Sequence, residues 1–209
     1  MKLRKDDDNK ELPFSPFDEF AFESYQALLK DRTILFTSEV KDNIIERVML
    51  PLTTLSQKSI KPIKLLINSP GGQVTEGQAV VDAMISSRCQ IITVALGQAM
   101  SASFDIFLAG DYRVMYPNSL LMMHSGASRF DMMTLPQLNK EADLHLKYFE
   151  RWSSWYAART KVPKKDWMDM LSTGLNYYFF PEDSLKLGLC HEVIQPIKKS
   201  TKNITKFKF

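Results

Sequence analysis

The sequence is poor in the residues that disulfide, metal and imidazole chemistry need. Only two cysteines occur in 209 residues, Cys89 and Cys190, both in apolar surroundings and without metal-ligand spacing. Two buried thiols in a reducing compartment are the simplest reading, and no cofactor or metal is expected. Histidine is scarcer than most proton-transfer enzymes would suggest: His124, His145 and His191 are the three. An excess of one charge is also missing, since 27 Lys and Arg face 24 Asp and Glu for a net charge of +3. No basic stripe interleaved with aromatics runs through the body, which argues against nucleic acid as a partner. Apolar runs are broken well short of a membrane span. Met1 to Glu11 is charged throughout, with Asp6, Asp7 and Asp8 after Lys2, Arg4 and Lys5, so it lacks the apolar stretch of a signal peptide. The expectation is a soluble, cytoplasmic chain.

What is present is an ordinary globular composition, 44% hydrophobic and 24% charged, enough for one domain with a substantial core. Residues 1–20 read as a charged arm interrupted by Pro13 and Pro16, residues 21–195 as the folded body, and residues 196–209 as a basic tail. In the body, Phe22, Tyr25, Leu28 and Leu29 recur at helical spacing from Ala21, closed by Lys30-Asp31-Arg32. Thr33 to Phe36 is a short β-type run, and Val40 to Leu55 reads as a helix. Two βα units follow. Ile63 to Asn68 is a strand leading to the Ser69-Pro70-Gly71-Gly72 turn and a helix near Thr75, where Thr75 and Gln78 suggest a capping box. Gln90 to Leu96 is a second strand, leading through a Gly97-Gln98-Ala99-Met100 turn to a helix through Ala109. Near-continuous apolar strands alternating with helices predict an α/β fold with a parallel sheet covered on both faces. Tyr112 to Met115 and Leu120 to Met123 are further strands. Thr134 to Thr160 is the longest helix, its stripe of Leu135, Leu138, Ala142, Leu146, Phe149, Trp152 and Tyr156 fitting either a core or a subunit interface.

Ser101 comes after a strand and turn, at the start of a helix. There, backbone N–H groups and the positive end of the helix dipole favour a developing oxyanion. The local string G-Q-A-M-S-A-S follows the logic of a nucleophile elbow without its G-x-S-x-G spelling. The plain alternative is a helix N-cap, the commonest use of serine in this place. Ser103, two residues on, would point away from the turn. Gly71 and Gly72 lie at the same kind of junction in the neighbouring unit, where paired glycines let the backbone approach a ligand, or simply make a tight turn. His124 ends a strand on the same sheet edge, the edge at which ligands of parallel sheets gather. His145 sits on the long helix and His191 in a late strand, so only His124 can reach Ser101 as a general base.

Four strings, I-N-S-P-G-G (67–72), G-Q-A-M-S (97–101), P-N-S-L-L-M-M-H (117–124) and P-E-D-S-L-K-L-G-L (181–189), resemble the ClpP family. This family comprises the proteolytic subunits of the caseinolytic ATP-dependent protease. The resemblance runs from about Phe22 to Val193, with the motifs in the family's order and at similar spacings. It implies a crotonase-like (ClpP-type) fold with a long handle helix, here Thr134 to Thr160. It also implies a serine endopeptidase cutting unfolded polypeptides inside two heptameric rings stacked face to face, a tetradecameric homo-oligomer served by an AAA+ unfoldase ATPase. The nucleophile falls on Ser101, the base on His124, and the oxyanion donors on the backbone N–H groups of Gly72 and Ala102.

The chain departs from the family at several places. Where the triad aspartate is expected the string is Leu175-Asn176-Tyr177-Tyr178, so Asn176 occupies that position. An amide oxygen can accept the histidine Nδ1–H but cannot stabilise an imidazolium by charge. Asp166 and Asp169 fit the register worse. Leu175 stands where an arginine usually helps link the rings. Ser125-Gly126-Ala127-Ser128 and Arg129 to Met133 replace the Gln-Pro and glycine-rich strand that follow the histidine. Lys64 replaces an aromatic on the surface that receives unfoldase loops, and the arm to Phe20 does not resemble the axial hairpin. These departures favour a second reading, a weakly active or silent structural subunit in a mixed ring with a ClpP paralogue. A crotonase-type acyl-CoA enzyme is a third, disfavoured by the Ser–His pair. Asp105, one turn beyond Ser101, is an unusual acid for which the sequence supplies no role.

Overall fold

The structure is a computed structural model that describes residues 4–5, 11–12, 16–126 and 132–195. The segment from Ala127 to Asp131 and the whole basic tail lie outside the described residues, as does most of the arm. Within the arm, β1 (Arg4–Lys5) pairs antiparallel with β2 (Glu11–Leu12). Helix α1 (Pro16–Lys30) begins five residues before the expected Ala21. Pro16 opens it, in a first-turn position where the missing N–H costs nothing. The helix stops at Arg32, whose backbone turns left-handed at φ 55°. Its guanidinium then donates to the carbonyls of Leu55, Ser59, Lys61 and Pro62, so this residue ties α1 to the next layer.

The main sheet has seven strands. Its parallel path is β3 (Thr33–Phe36), β4 (Ile63–Ser69), β5 (Ile91–Met100), β6 (Tyr112–Met115) and β9 (Glu192–Val193). Off this path, β7 (Leu120–Met123) pairs parallel with the far end of β5, and β8 (Tyr177–Phe179) pairs antiparallel with β7. The predicted α/β architecture with parallel βα units is therefore present.

Several details differ from the sequence reading. Val40 to Leu55 is not one helix. Val40 bridges to Gly72, a π-helical turn covers Ile45–Met49, and α2 (Leu50–Lys58) follows. Pro51 accounts for the break, because it cannot donate the i→i−4 hydrogen bond that would continue a regular helix. The Thr75–Gln78 capping box does not form, since α3 (Val74–Ile85) starts one residue earlier, after Gln73, without a side-chain cap. Coverage of both sheet faces holds only in part. Ile63, Leu65, Ile67 and Ser69 of β4 are buried while Lys64 and Asn68 on the alternate face are exposed.

The most consequential difference is in β5. The expected Gly97 to Met100 turn is strand. Between the pairs Ile67↔Ala95 and Ser69↔Ala99, β4 advances two residues and β5 advances four, so β5 carries a bulge around Gly97. Gly97 takes φ 73°, and a Cβ there would lie 2.9 Å from Asn68 Oδ1. A bulge bends and twists its strand. Here it lets one strand pair with β6 through Ile92–Ala95 and with β7 through Gln98–Met100. The turn is thereby compressed into Ser101 alone.

Helix α4 (Ala102–Leu108) follows Ser101 and is buried along nearly all its length. Helix α5 (Leu135–Arg159) matches the predicted long helix, and its Thr134 cap is engaged by Gln137 Oε1 at 2.8 Å from the backbone nitrogen. Its second half packs through Tyr156 and Ser153, whereas Leu135, Leu138 and Leu146 in the first half are exposed on the single chain. Helices α6 (Lys164–Ser172) and α7 (Pro181–Leu187) complete the body. An aromatic cluster binds these layers beneath the Ser101 turn. The Phe104 ring lies 5.7 Å from that of Tyr156, 6.2 Å from Trp167 and 6.1 Å from Phe179, joining α4, α5, α6 and β8. No helix among the described residues is long and apolar enough to cross a membrane, and both cysteines are free and buried.

Trp167 is fully buried at the centre of that cluster, and its indole N–H donates to Thr160 Oγ1 at 3.1 Å. Trp167→Ala should cost roughly 3–5 kcal/mol in chemical denaturation, from the cavity and lost area together.

Candidate active site

Ser101 sits between strand and helix with φ 54° and ψ −128°, a conformation disfavoured for any residue bearing a Cβ. Its neighbours dictate that geometry. Ser101 N–H donates to Met122 O at 2.8 Å, which ends the β5–β7 pairing, and Phe104 N–H returns to Ser101 O at 2.8 Å to start α4. The chain reverses direction over a single residue, and the side chain is left at the apex.

The glycine turn closes against this apex. A Cβ on Gly71 would lie 2.4 Å from Met100 O and 2.7 Å from Ser101 Cβ, so only glycine permits the approach. Gly72, at φ 150°, would meet Val40 O at 2.2 Å. Val40 holds the turn from its outer side, donating its N–H to Gly71 O and accepting from Gln73 N–H, each at 2.8 Å. A parallel bridge of this kind leaves Gly72's own N–H directed away from Val40. On the inner side, Ser69 Oγ accepts from Gly71 N–H at 3.2 Å and from Ser103 Oγ at 2.6 Å. Ser103 thus does point away from the cleft, into a buried link between α4 and the glycine turn. The N–H of Ala102, first in α4, has no acceptor within its own helix.

His124 follows β7, and its Nε2 lies 2.7 Å from Ser101 Oγ. Burial pushes the ring's pKa below the usual 6.5, which keeps it neutral and able to accept a proton. The other histidines are placed elsewhere. His191 Nδ1 accepts the Arg113 backbone N–H at 2.9 Å and its ring stacks on Tyr112, so it is a structural group. His145 faces Phe149 on the long helix.

Asn176 is near but turned aside. The β7–β8 register pairs Leu121 with Phe179, Met122 with Tyr178 and Met123 with Tyr177. Each pair sums to 300, so the next step would set His124 opposite Asn176. Side chains at such positions share a face. Yet Asn176 is exposed, its Nδ2 donates to Tyr178 Oη at 3.4 Å, and no hydrogen bond links it to His124 among the described residues.

The sequence alone supplies no role for Asp105, and the structure gives it a place. It lines the same narrow cleft as Ser101 and His124. Tyr156 Oη donates to its Oδ1 at 2.6 Å. Burial drives its carboxyl pKa up to about 7 despite that bond. The signal available in the sequence was the i, i+4 spacing from Ser101, which puts both side chains on one helix face.

The same chain was compared with known proteins. The model of the Clp protease family matches residues 17–197. The ATP-dependent Clp protease proteolytic subunit of Deinococcus radiodurans is 31% identical over 185 residues, spanning 87% of this chain and 89% of that protein. Among solved structures, an Asn-to-Asp mutant of ClpP1 from Listeria monocytogenes aligns with a TM-score of 0.73. The match is at 25% identity and covers 83% of this chain and 96% of that one.

A carboxyl whose folded pKa is about 7, against 3.8 as a model group, binds its proton more tightly in the folded state. Its stabilising proton is retained at low pH and lost as pH rises through about 7. Between pH 5 and pH 8 the protein should lose roughly 3 kcal/mol, or roughly 5–10 °C in Tm, relative to Asp105→Asn. The variant keeps an acceptor for Tyr156 and does not titrate. Parallel thermal scans of both proteins across this range measure the difference.

Proposed function

The chain belongs to the Clp protease family, and on that premise we propose that it is a serine-type endopeptidase. Its substrates are unfolded polypeptides, cut inside an oligomeric chamber. Ser101 is the nucleophile, His124 the general base, and the backbone N–H groups of Gly72 and Ala102 the oxyanion donors. The observation that carries this reading is the 2.7 Å contact between Ser101 Oγ and a neutral His124 at a strained turn.

In the reaction, Ser101 Oγ attacks the scissile carbonyl carbon while His124 Nε2 takes the hydroxyl proton. The carbonyl oxygen becomes an oxyanion and receives the two backbone N–H groups. Collapse of the tetrahedral intermediate breaks the C–N bond, and His124 returns the proton to the leaving amine. Water, deprotonated by the same imidazole, then hydrolyses the acyl-Ser101 ester. Asn176 is the third member, its amide oxygen accepting Nδ1–H once the side chain leaves Tyr178. It orients the ring and supplies no countercharge. In the Ser-His-Asp template that change costs about 10⁴-fold in turnover.

The assembly proposed is a homo-oligomer of stacked heptameric rings, with exposed Leu135, Leu138 and Leu146 of α5 as the surface that meets the opposite ring. An ATPase partner follows from the Deinococcus relative, which is named as a subunit of an ATP-dependent protease. A second reading has one observation in its favour. Asn176 is turned away from His124, as suits a weakly active subunit of a mixed ring with a paralogue.

A fluorophosphonate probe should form a covalent adduct on Ser101 of the assembled protein, and Ser101→Ala should abolish it. No adduct, with none restored by Asn176→Asp, overturns the peptidase reading. The pH profile tests the base independently. Because burial disfavours the imidazolium, the acid limb of kcat/KM should have its midpoint below pH 6.5. Asn176→Asp should raise kcat and move that midpoint upward, since a carboxylate favours the imidazolium. An unchanged rate and midpoint would remove Asn176 from the triad.

A further inference from the structure

Asp105 is an acid without a counter-ion in the wall of the cleft that holds Ser101 and His124. One of its oxygens is engaged: Oδ1 accepts from Tyr156 Oη. Among the described residues no hydrogen bond reaches Oδ2 and no ion pair reaches the carboxyl. No hydrogen bond joins it to His124 either, so it does not substitute for the third member of a triad. Arg151 shares the adjoining cavity with it, and no ion pair joins the two.

Apart from Ser125, the rest of the cleft wall is apolar and aromatic, with Val74, Phe104, Met123, Trp152 and Tyr156. Such a wall suits an unbranched aliphatic stem, and the ring faces attract a cation at its tip. Asp105 and Trp152 also line a wider adjoining cavity, which includes neither Ser101 nor His124. The cleft beside Ser101 is narrow, so the adjoining cavity is the space in which a long side chain would lie against the carboxyl. Burial holds the acid up to about 7 despite the Tyr156 bond, and an arriving cation would supply the missing charge.

We propose that Asp105 is a specificity-determining residue that receives the cationic side chain of a lysine or arginine on the acyl side of the scissile bond. The inference rests on the serine-peptidase reading of Ser101 and His124, and it names the substrate preference of that site. Tyr156 is the positioning residue, holding the carboxyl so that its free oxygen faces the cleft.

The test uses the full chain in its assembled form and two fluorogenic peptides that differ only in the residue before the cleaved bond. One carries lysine, the other norleucine, which keeps an unbranched apolar chain and lacks the ammonium. The lysine peptide should have a kcat/KM at least roughly tenfold higher. Asp105→Asn should bring the ratio to about one by slowing the lysine peptide alone. A merely structural role would slow both peptides together. Equal rates in the unaltered protein, or a lysine preference that survives Asp105→Asn, overturn the proposal. Binding to the Ser101→Ala protein, read by fluorescence anisotropy, repeats the comparison without chemistry. The lysine peptide should bind roughly tenfold more tightly, and Asp105→Asn on that background should erase the difference. Equal affinities overturn the proposal. Binding discrimination without hydrolysis of either peptide counts against the peptidase reading and leaves the role of Asp105 standing.

Discussion

The site depends on one backbone constraint, the positive φ forced on Ser101. A non-glycine residue in such a region costs of order 1–3 kcal/mol and persists only where its surroundings over-determine it. Here three independent attachments do so. The β5–β7 pairing fixes the incoming strand, the buried helix α4 fixes the outgoing one, and the Gly71-Gly72 turn presses on the apex with no space for a Cβ. Release of any one would let the turn relax towards an ordinary helix start. Ser101 is the N-cap of α4, yet its side chain makes no cap hydrogen bond. The strain is what keeps the hydroxyl free for His124.

The same constraint explains the chain's polar economy. Ser69, Ser103 and the Gly71 amide satisfy one another inside the sheet edge, so rigidity is gained without an unsatisfied buried hydroxyl among them. Farther out, Arg113 is buried and donates to the carbonyls of Leu189, Gly110, Arg159 and Gly188. Desolvation and the nearby Arg159 lower its pKa to about 10. Those carbonyls come from the ends of α4 and α5 and the segment after α7, so one side chain closes the far end of the body. His191 is recruited into that end through the Arg113 backbone. This leaves His124 as the histidine at the cleft.

Much of this was legible in the chain because burial and turn chemistry leave local marks. The alternation of apolar strands and helices, the glycine pair, and the placing of Ser101 and His124 at strand ends all follow from residue type and spacing. The long helix was legible too, its expected bounds Thr134 and Thr160 being the two residues that flank α5. What was missed depends on pairing across the sheet. Gly97-Gln98-Ala99-Met100 has turn-like composition, but two strands of different registers claim it, and only the bulge at Gly97 reconciles them. Thr75 has the residues of a capping box, yet the pinned Gly72–Val40 bridge sets the helix start one residue earlier. Asp105 was visible as an oddity. Its meaning needed Tyr156, fifty-one residues away, to be brought within 2.6 Å.

Asn176 shows how far position and function can part. Its backbone is one step along a register that already holds three pairs, which would set it opposite His124. Its side chain bonds to Tyr178 at the long limit of a hydrogen bond, a weak competitor for the amide. The first half of α5 also has its apolar face uncovered on the single chain. The folded chain by itself holds a strained serine 2.7 Å from a histidine whose imidazolium is disfavoured by burial, and leaves the amide opposite that ring bonded elsewhere.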